Sequence, residues 1–167
     1  MTITRKLAAG LLASSLLLVA GTAEARQGII KARGPNGAVT AVRGPNGTTG
    51  VRARGTVQNE DGSVTRASGG AWRTANGGTS LRGSTTTVNP DGSGTRTSNA
   101  YASGAKGTAS SSSSVSRDAE GNWSGGRSTT ATSATKGTSY SGSVSIDPAT
   151  GKPVHSATCT DASGAVI

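Results

Sequence analysis

The chain has 167 residues, 17 basic against 8 acidic for a net charge of +9, and 26 glycines but no phenylalanine, one histidine and one cysteine. A hydrophobic share of 32% and an aromatic share of 2% exclude a large conventional core. The single His155 and Cys159 exclude a metal centre built from clustered Cys and His.

Residues 1–25 read as a cleavable secretory signal peptide. Arg5 and Lys6 open it, an apolar run fills 7–21, and Ala23-Glu24-Ala25 is a small-x-small cleavage site. The run is too short for a membrane anchor, which needs roughly 20 apolar residues. The mature chain is expected to start at Arg26, to lack a transmembrane segment, and to be periplasmic or extracellular. It keeps ten Val, four Ile and Leu81, with Trp72, Tyr101, Trp123 and Tyr140 as its aromatics. So few apolar side chains do not readily offset the ordering entropy of a domain. Partial disorder, or a repetitive β-structure dominated by backbone pairing, is expected.

Residues 26–54 form a basic, Gly/Pro-rich arm. Arg26, Lys31, Arg33, Arg43, Arg52 and Arg54 lie there with no acid among them, whereas 55–167 hold nine bases and seven acids. These six are the candidate polyanion-binding residues. Arg33-Gly-Pro-Asn-Gly37 recurs as Arg43-Gly-Pro-Asn-Gly47, a repeated turn tetrad flanking a short strand candidate at 38–42.

Residues 55–167 form a β-hairpin repeat region. Acidic turn clusters centre on Gly62, Gly92, Gly121 and Gly151, at spacings of 30, 29 and 30. Neutral or basic turns at Gly78, Gly107 and Gly137 fall between them. Asp-Gly and Asn-Gly supply the positive φ of two-residue hairpin turns. The stretches between turns are rich in Thr and Ser with scattered Val, Tyr and Trp, and show no helical period. The fold class predicted is all-β, an antiparallel meander of long hairpins with a ~30-residue repeat, partly disordered. Six to seven strands are expected over 55–160. The run Ser110–Ser114 is a place where a strand could break, and Ala165-Val166-Ile167 suits a terminal strand.

No catalytic, cofactor or metal residues are expected. On one strand His155 and Cys159 would sit about 13 Å apart, too far for a nucleophile pair. The acidic turns lack the ligand series of a calcium loop. Threonines at 85–87, 95, 97 and 129–130 keep no regular spacing, which argues against an ice-binding array.

Gly-Pro-Asn-Gly at 34–37 and 44–47, Asn-Pro-Asp-Gly at 89–92, Arg-Ser-Thr-Thr at 127–130 and His-Ser-Ala-Thr-Cys-Thr-Asp at 155–161 give the chain its character. In these it resembles the uncharacterised exported Gly/Ser/Thr-rich β-repeat proteins of Gram-negative bacteria, a resemblance that implies no activity. It is distantly similar to curli-type amyloid subunits in composition, but lacks their Gln/Asn ladders. The expected function is a non-enzymatic, exported structural or adhesive repeat protein of the cell surface or extracellular matrix. The alternative is a periplasmic or secreted protein that binds polyanions through its basic arm. Expected partners are copies of itself, or an anionic polymer such as a cell-surface polysaccharide.

Overall fold

Long strands separated by glycine turns form one sheet in the computed structural model, which describes residues 28–167. The signal-peptide assignment at 1–25 and Arg26 lie outside the described residues. In chain order the strands are β1 (Gly28–Gly34), β2 (Gly37–Arg43), β3 (Thr49–Gln58), β4 (Val64–Arg73) and β5 (Thr79–Val88), followed by β6 (Gly94–Gly104), β7 (Gly107–Arg117), β8 (Trp123–Ser133), β9 (Ser139–Ile146) and β10 (Pro153–Thr160). Each pairs antiparallel with the next, and sheet order equals sequence order. The fold is therefore the all-β antiparallel meander the turn spacing predicts. The expected arm boundary at 54/55 falls inside β3, and the ladders run across it without a break.

Turn chemistry decides where strands end. Five hairpin connections and the C-terminal turn centre on a glycine with positive φ two residues or more past the strand: Gly47, Gly62, Gly77, Gly92, Gly121 and Gly164. In each, the first loop residue donates its N–H to the carbonyl four residues on, as Asn59 does to Ser63 at 2.8 Å. The glycine N–H returns to the first residue's carbonyl, as Gly62 does to Asn59 at 3.1 Å. This is a three-residue loop with a left-handed glycine bulge, not the two-residue turn expected from Asp-Gly and Asn-Gly. The reason is that no described residue other than glycine has positive φ, whereas a type I′ turn needs it at both central positions. The two repeated tetrads accordingly fold differently. Pro35-Asn36 is a two-residue connection between paired Gly34 and Gly37, while the second tetrad places Gly47 at φ 74°.

The serine run does not interrupt β7. Its hydroxyls pair across the ladder instead: Ser110 with Thr130 at 2.8 Å, Ser112 with Ser128 at 2.9 Å, and Ser113 with Ser98 at 2.8 Å. The last residues turn back along β10 as a single bridge rather than a strand, with Val166 bridged to Thr160 and the Ile167 N–H on the Cys159 carbonyl at 3.0 Å.

Among the described residues no apolar side chain is buried. Nor, among the described residues, is any helix long and apolar enough to cross a membrane. The sheet is a single layer, so its local cover comes from within its own faces. The clearest case is Trp72, whose ring lies over its cross-strand partner Gly50. A Cβ at Gly50 would collide with that ring, whereas one at Gly83 would meet nothing within 4 Å. Gly50→Ala should therefore displace the indole and cost about 1–3 kcal/mol. Gly83→Ala should be neutral or stabilise by up to about 1 kcal/mol through the unfolded chain. Urea melts of the two variants measure this contrast.

Candidate functional site

Residues directly opposite one another in a ladder share a face of the sheet. Following the register across all ten strands separates the side chains into two chemically distinct faces. One carries Lys31 and Arg33 from β1, Arg52 and Arg54 from β3, Arg66 from β4, Arg82 from β5, Arg96 from β6, Arg117 from β7 and Arg127 from β8. All nine are exposed. Among the described residues no strand contains an acidic residue.

The cations form a spaced lattice. Lys31, Thr40, Arg52, Gly70 and Arg82 make one cross-strand row, and Thr56, Arg66, Thr86, Arg96 and Val115 another. At about 4.8 Å between strands, successive charges in a row stand about 10 Å apart. Hydroxyls fill the gaps, including a row that runs Arg54, Ser68, Ser84, Ser98, Ser113, Arg127. Ser68 and Ser84 share a hydrogen bond at 3.0 Å, and Arg127 Nε donates to Ser111 Oγ at 2.8 Å. At the margin, Arg117 stands 6.0 Å from the centre of the Trp123 ring, in cation–π range.

Of the six cations singled out in the sequence, Lys31, Arg33, Arg52 and Arg54 come together on this face. Arg43 ends β2 and projects from the opposite face, and Arg26 is outside the described residues. Arg66, Arg82, Arg96, Arg117 and Arg127 were not singled out. Their signal is positional. Basic residues are even-numbered through β3–β6 and odd-numbered in β7 and β8, apart from Arg73 at the end of β4. The two-residue connection at 105–106 reverses which parity faces which side.

The opposite face is uncharged except for Arg43 and Arg73 at strand ends. Its β6–β10 half is dominated by serine and threonine, and hydroxyl pairs such as Thr108–Thr132 at 2.8 Å cross its ladders. A shallow, open depression of about 410 Å3 lies there, walled by Leu81, Asn99, Tyr101, Ser110, Ser112, Ser128 and Thr130. His155 and Cys159 both lie on the basic face of β10, exposed, opposite Val144 and Tyr140. Among the described residues no three His, Cys, Asp or Glu side chains gather as a metal site would need.

Every described acid sits in a turn, and alternation of turn types sends six of the seven to one end of the strands. Glu60, Asp61, Asp91, Asp118, Glu120 and Asp147 occupy connections β3–β4, β5–β6, β7–β8 and β9–β10, and only Asp161 lies at the other end. The carboxylates work locally. Asp61 Oδ1 accepts from Ser63 Oγ at 2.6 Å and from the Ser63 N–H at 2.9 Å, and Asp91 repeats the pattern with Ser93. The hydroxyl bond first, then the backbone bond, holds both carboxyls below the ordinary carboxylate range. Asp118, Asp147 and Asp161 are lowered by bonds from Asn122, Thr150 and Ser163 respectively.

Comparison with protein-family models, with curated proteins and with solved structures finds no match for this chain.

The turn carboxylates set an acid limit. Because their folded-state pKa is depressed, their contribution is full above the unfolded value of about 4 and is lost as pH falls through the lower folded value. Thermal melts should be flat from neutral pH down to about 5 and then decline below about 4. An Asp61→Asn, Asp91→Asn double variant should melt lower at neutral pH and show a shallower acid limb.

Proposed function

We propose that this chain is a non-enzymatic, exported surface or matrix protein that adheres to an acidic polysaccharide through the basic face of its sheet. The observation that carries this reading is the placement of nine strand cations on one face while every described acid is in a turn. An array of cations on one face attracts any polyanion. The hydroxyl rows between the cations favour a sugar polymer over a nucleic acid, since sugar hydroxyls find partners there. Bases would need an aromatic stacking platform, and Trp72, Trp123 and Tyr140 are scattered over β4, β8 and β9. Export rests on the N-terminal sequence pattern, and the adhesive role on the extent of the charged face, which reaches from β1 to β8.

The reading differs from an arm-only binder in one measurable way. Binding of the purified chain to immobilised polygalacturonate, with dextran as the neutral control, should weaken linearly on a log–log plot as salt rises. Replacing Arg66, Arg96 and Arg127 with Gln should weaken binding about as much as replacing Arg33, Arg52 and Arg54. Each triple change should lower the salt slope by about 2–3, roughly one per lost contact. If only the second triple has an effect, the site is the arm alone. Equal retention on dextran sinks the charge-based reading.

A further inference from the structure

Within the basic face the cations keep a constant pitch. Lys31, Arg52 and Arg82 stand in one cross-strand row, on β1, β3 and β5. Arg33 and Arg54 stand in the next row, on β1 and β3, and Arg66 and Arg96 in a third, on β4 and β6. Over β1–β6 each cation is two strands from the next in its row, about 10 Å. Like charges directly opposite one another repel, which by itself accounts for a gap. Repulsion does not ask for the same gap between Lys31 and Arg52, Arg52 and Arg82, Arg33 and Arg54, and Arg66 and Arg96.

The positions between the cations are uncharged. Thr40 lies between Lys31 and Arg52, and Thr86 between Arg66 and Arg96. Each is half-buried and carries a hydroxyl that can donate and accept. Gly70 lies between Arg52 and Arg82, where a Cβ would stand 2.9 Å from the Val51 carbonyl oxygen and 3.3 Å from Arg52 Cγ. The floor between these two arginines is bare backbone. The strand spacing of about 4.8 Å is close to the length one pyranose ring adds to an extended glycan. A glycan laid across the strands along a row therefore sets one ring over each strand and meets a cation at every second ring. A carboxylate on the ring between would face Thr40, Gly70 or Thr86, giving up water without gaining a charged partner. A neutral ring there carries no such cost and finds hydroxyls at Thr40 and Thr86.

Resting on the adhesive reading above, we propose that the polysaccharide this face takes is one of alternating acidic and neutral residues, lying across strands β1–β6 with one carboxylate for every two sugar rings. The face selects by the spacing of charge as well as by its sign.

The test compares hyaluronan, in which glucuronate alternates with N-acetylglucosamine, with polygalacturonate, acidic at every ring. Both are used as oligosaccharides of equal length, long enough to cross β1–β6, and titrated calorimetrically into the purified chain over a series of salt concentrations. A face that only counts charge favours the galacturonate, with the steeper salt dependence. Under the proposal hyaluronan binds about threefold or more tighter despite half the charge, and the two salt slopes agree within about one because the same cations are engaged. Two variants of unchanged net charge break the pitch. Thr40→Arg with Arg52→Thr moves a cation from β3 to β2, and Thr86→Arg with Arg96→Thr moves one from β6 to β5. Each should abolish the preference for hyaluronan. Both ligands are measured on the same variant, so a partial loss of folded chain cancels in the ratio. Polygalacturonate binding as tightly as hyaluronan, or more tightly, overturns the proposal and leaves the adhesive function standing. So does a preference for hyaluronan that both variants retain. If neither acidic oligosaccharide exceeds a dextran oligosaccharide of the same length, the adhesive function falls and this proposal with it.

Discussion

The cross-strand backbone ladder is the constraint on which everything else here depends. In most domains a core selects the register, because a one-residue slip would turn apolar side chains outward. Here no apolar side chain is buried, and hairpin geometry must select register in its place. Six loops of one kind, each closed by a left-handed glycine and several clasped by an aspartate, fix how the following strand begins. Side-chain pairs then reinforce the choice. Ser98–Ser113, Ser112–Ser128 and Thr65–Thr87 each match hydroxyl to hydroxyl at hydrogen-bond distance across a ladder. Such pairs contribute about 0.2–1 kcal/mol each, so they act by number.

The same geometry sorts charge. A strand alternates faces residue by residue, and a meander sends alternate turns to opposite ends. A repeat with one acidic and one neutral turn therefore gathers acid at one end of the sheet. Arginines placed at every other strand position gather on one face. Opposite charges that are close in sequence, such as Asp61 and Arg66, are thereby divided between a turn and a strand face. The basic face owes its uniform sign to this sorting and needs no excess of base in each segment.

The architecture was legible in the sequence because turn chemistry punctuates it. Gly62, Gly92, Gly121 and Gly151 mark the acidic connections at the expected places, and seven strands, β4–β10, fill the region after them. The turn type was less legible, since an Asp-Gly pair serves a two-residue or a three-residue loop equally well until neighbouring φ values are known. The strand candidate at 38–42 became β2, while the serine run, poor in β-branched residues, looked breakable but is held by its neighbours' hydroxyls. The candidate site was only half legible. Averaging charge along the chain made 26–54 look basic and 55–167 nearly neutral, because the average combines strand arginines with turn aspartates that the fold places in different elements. Arg66, Arg82 and Arg96 come into view only when loop lengths are used to carry even and odd positions from strand to strand.

Loop length consequently acts as a reading frame for the surface. With the three-residue glycine loop at 59–63 kept at its length, one residue inserted or removed beside it would leave every strand downstream able to form, yet would slip the register by one and exchange its two faces relative to β1–β3. Arg66, Arg82 and Arg96 would then point away from Arg52 and Arg54, and the charged plane would be cut in two with composition almost unchanged. Duplicating or losing a whole repeat of two strands with both of their connections preserves the frame and only lengthens or shortens the sheet.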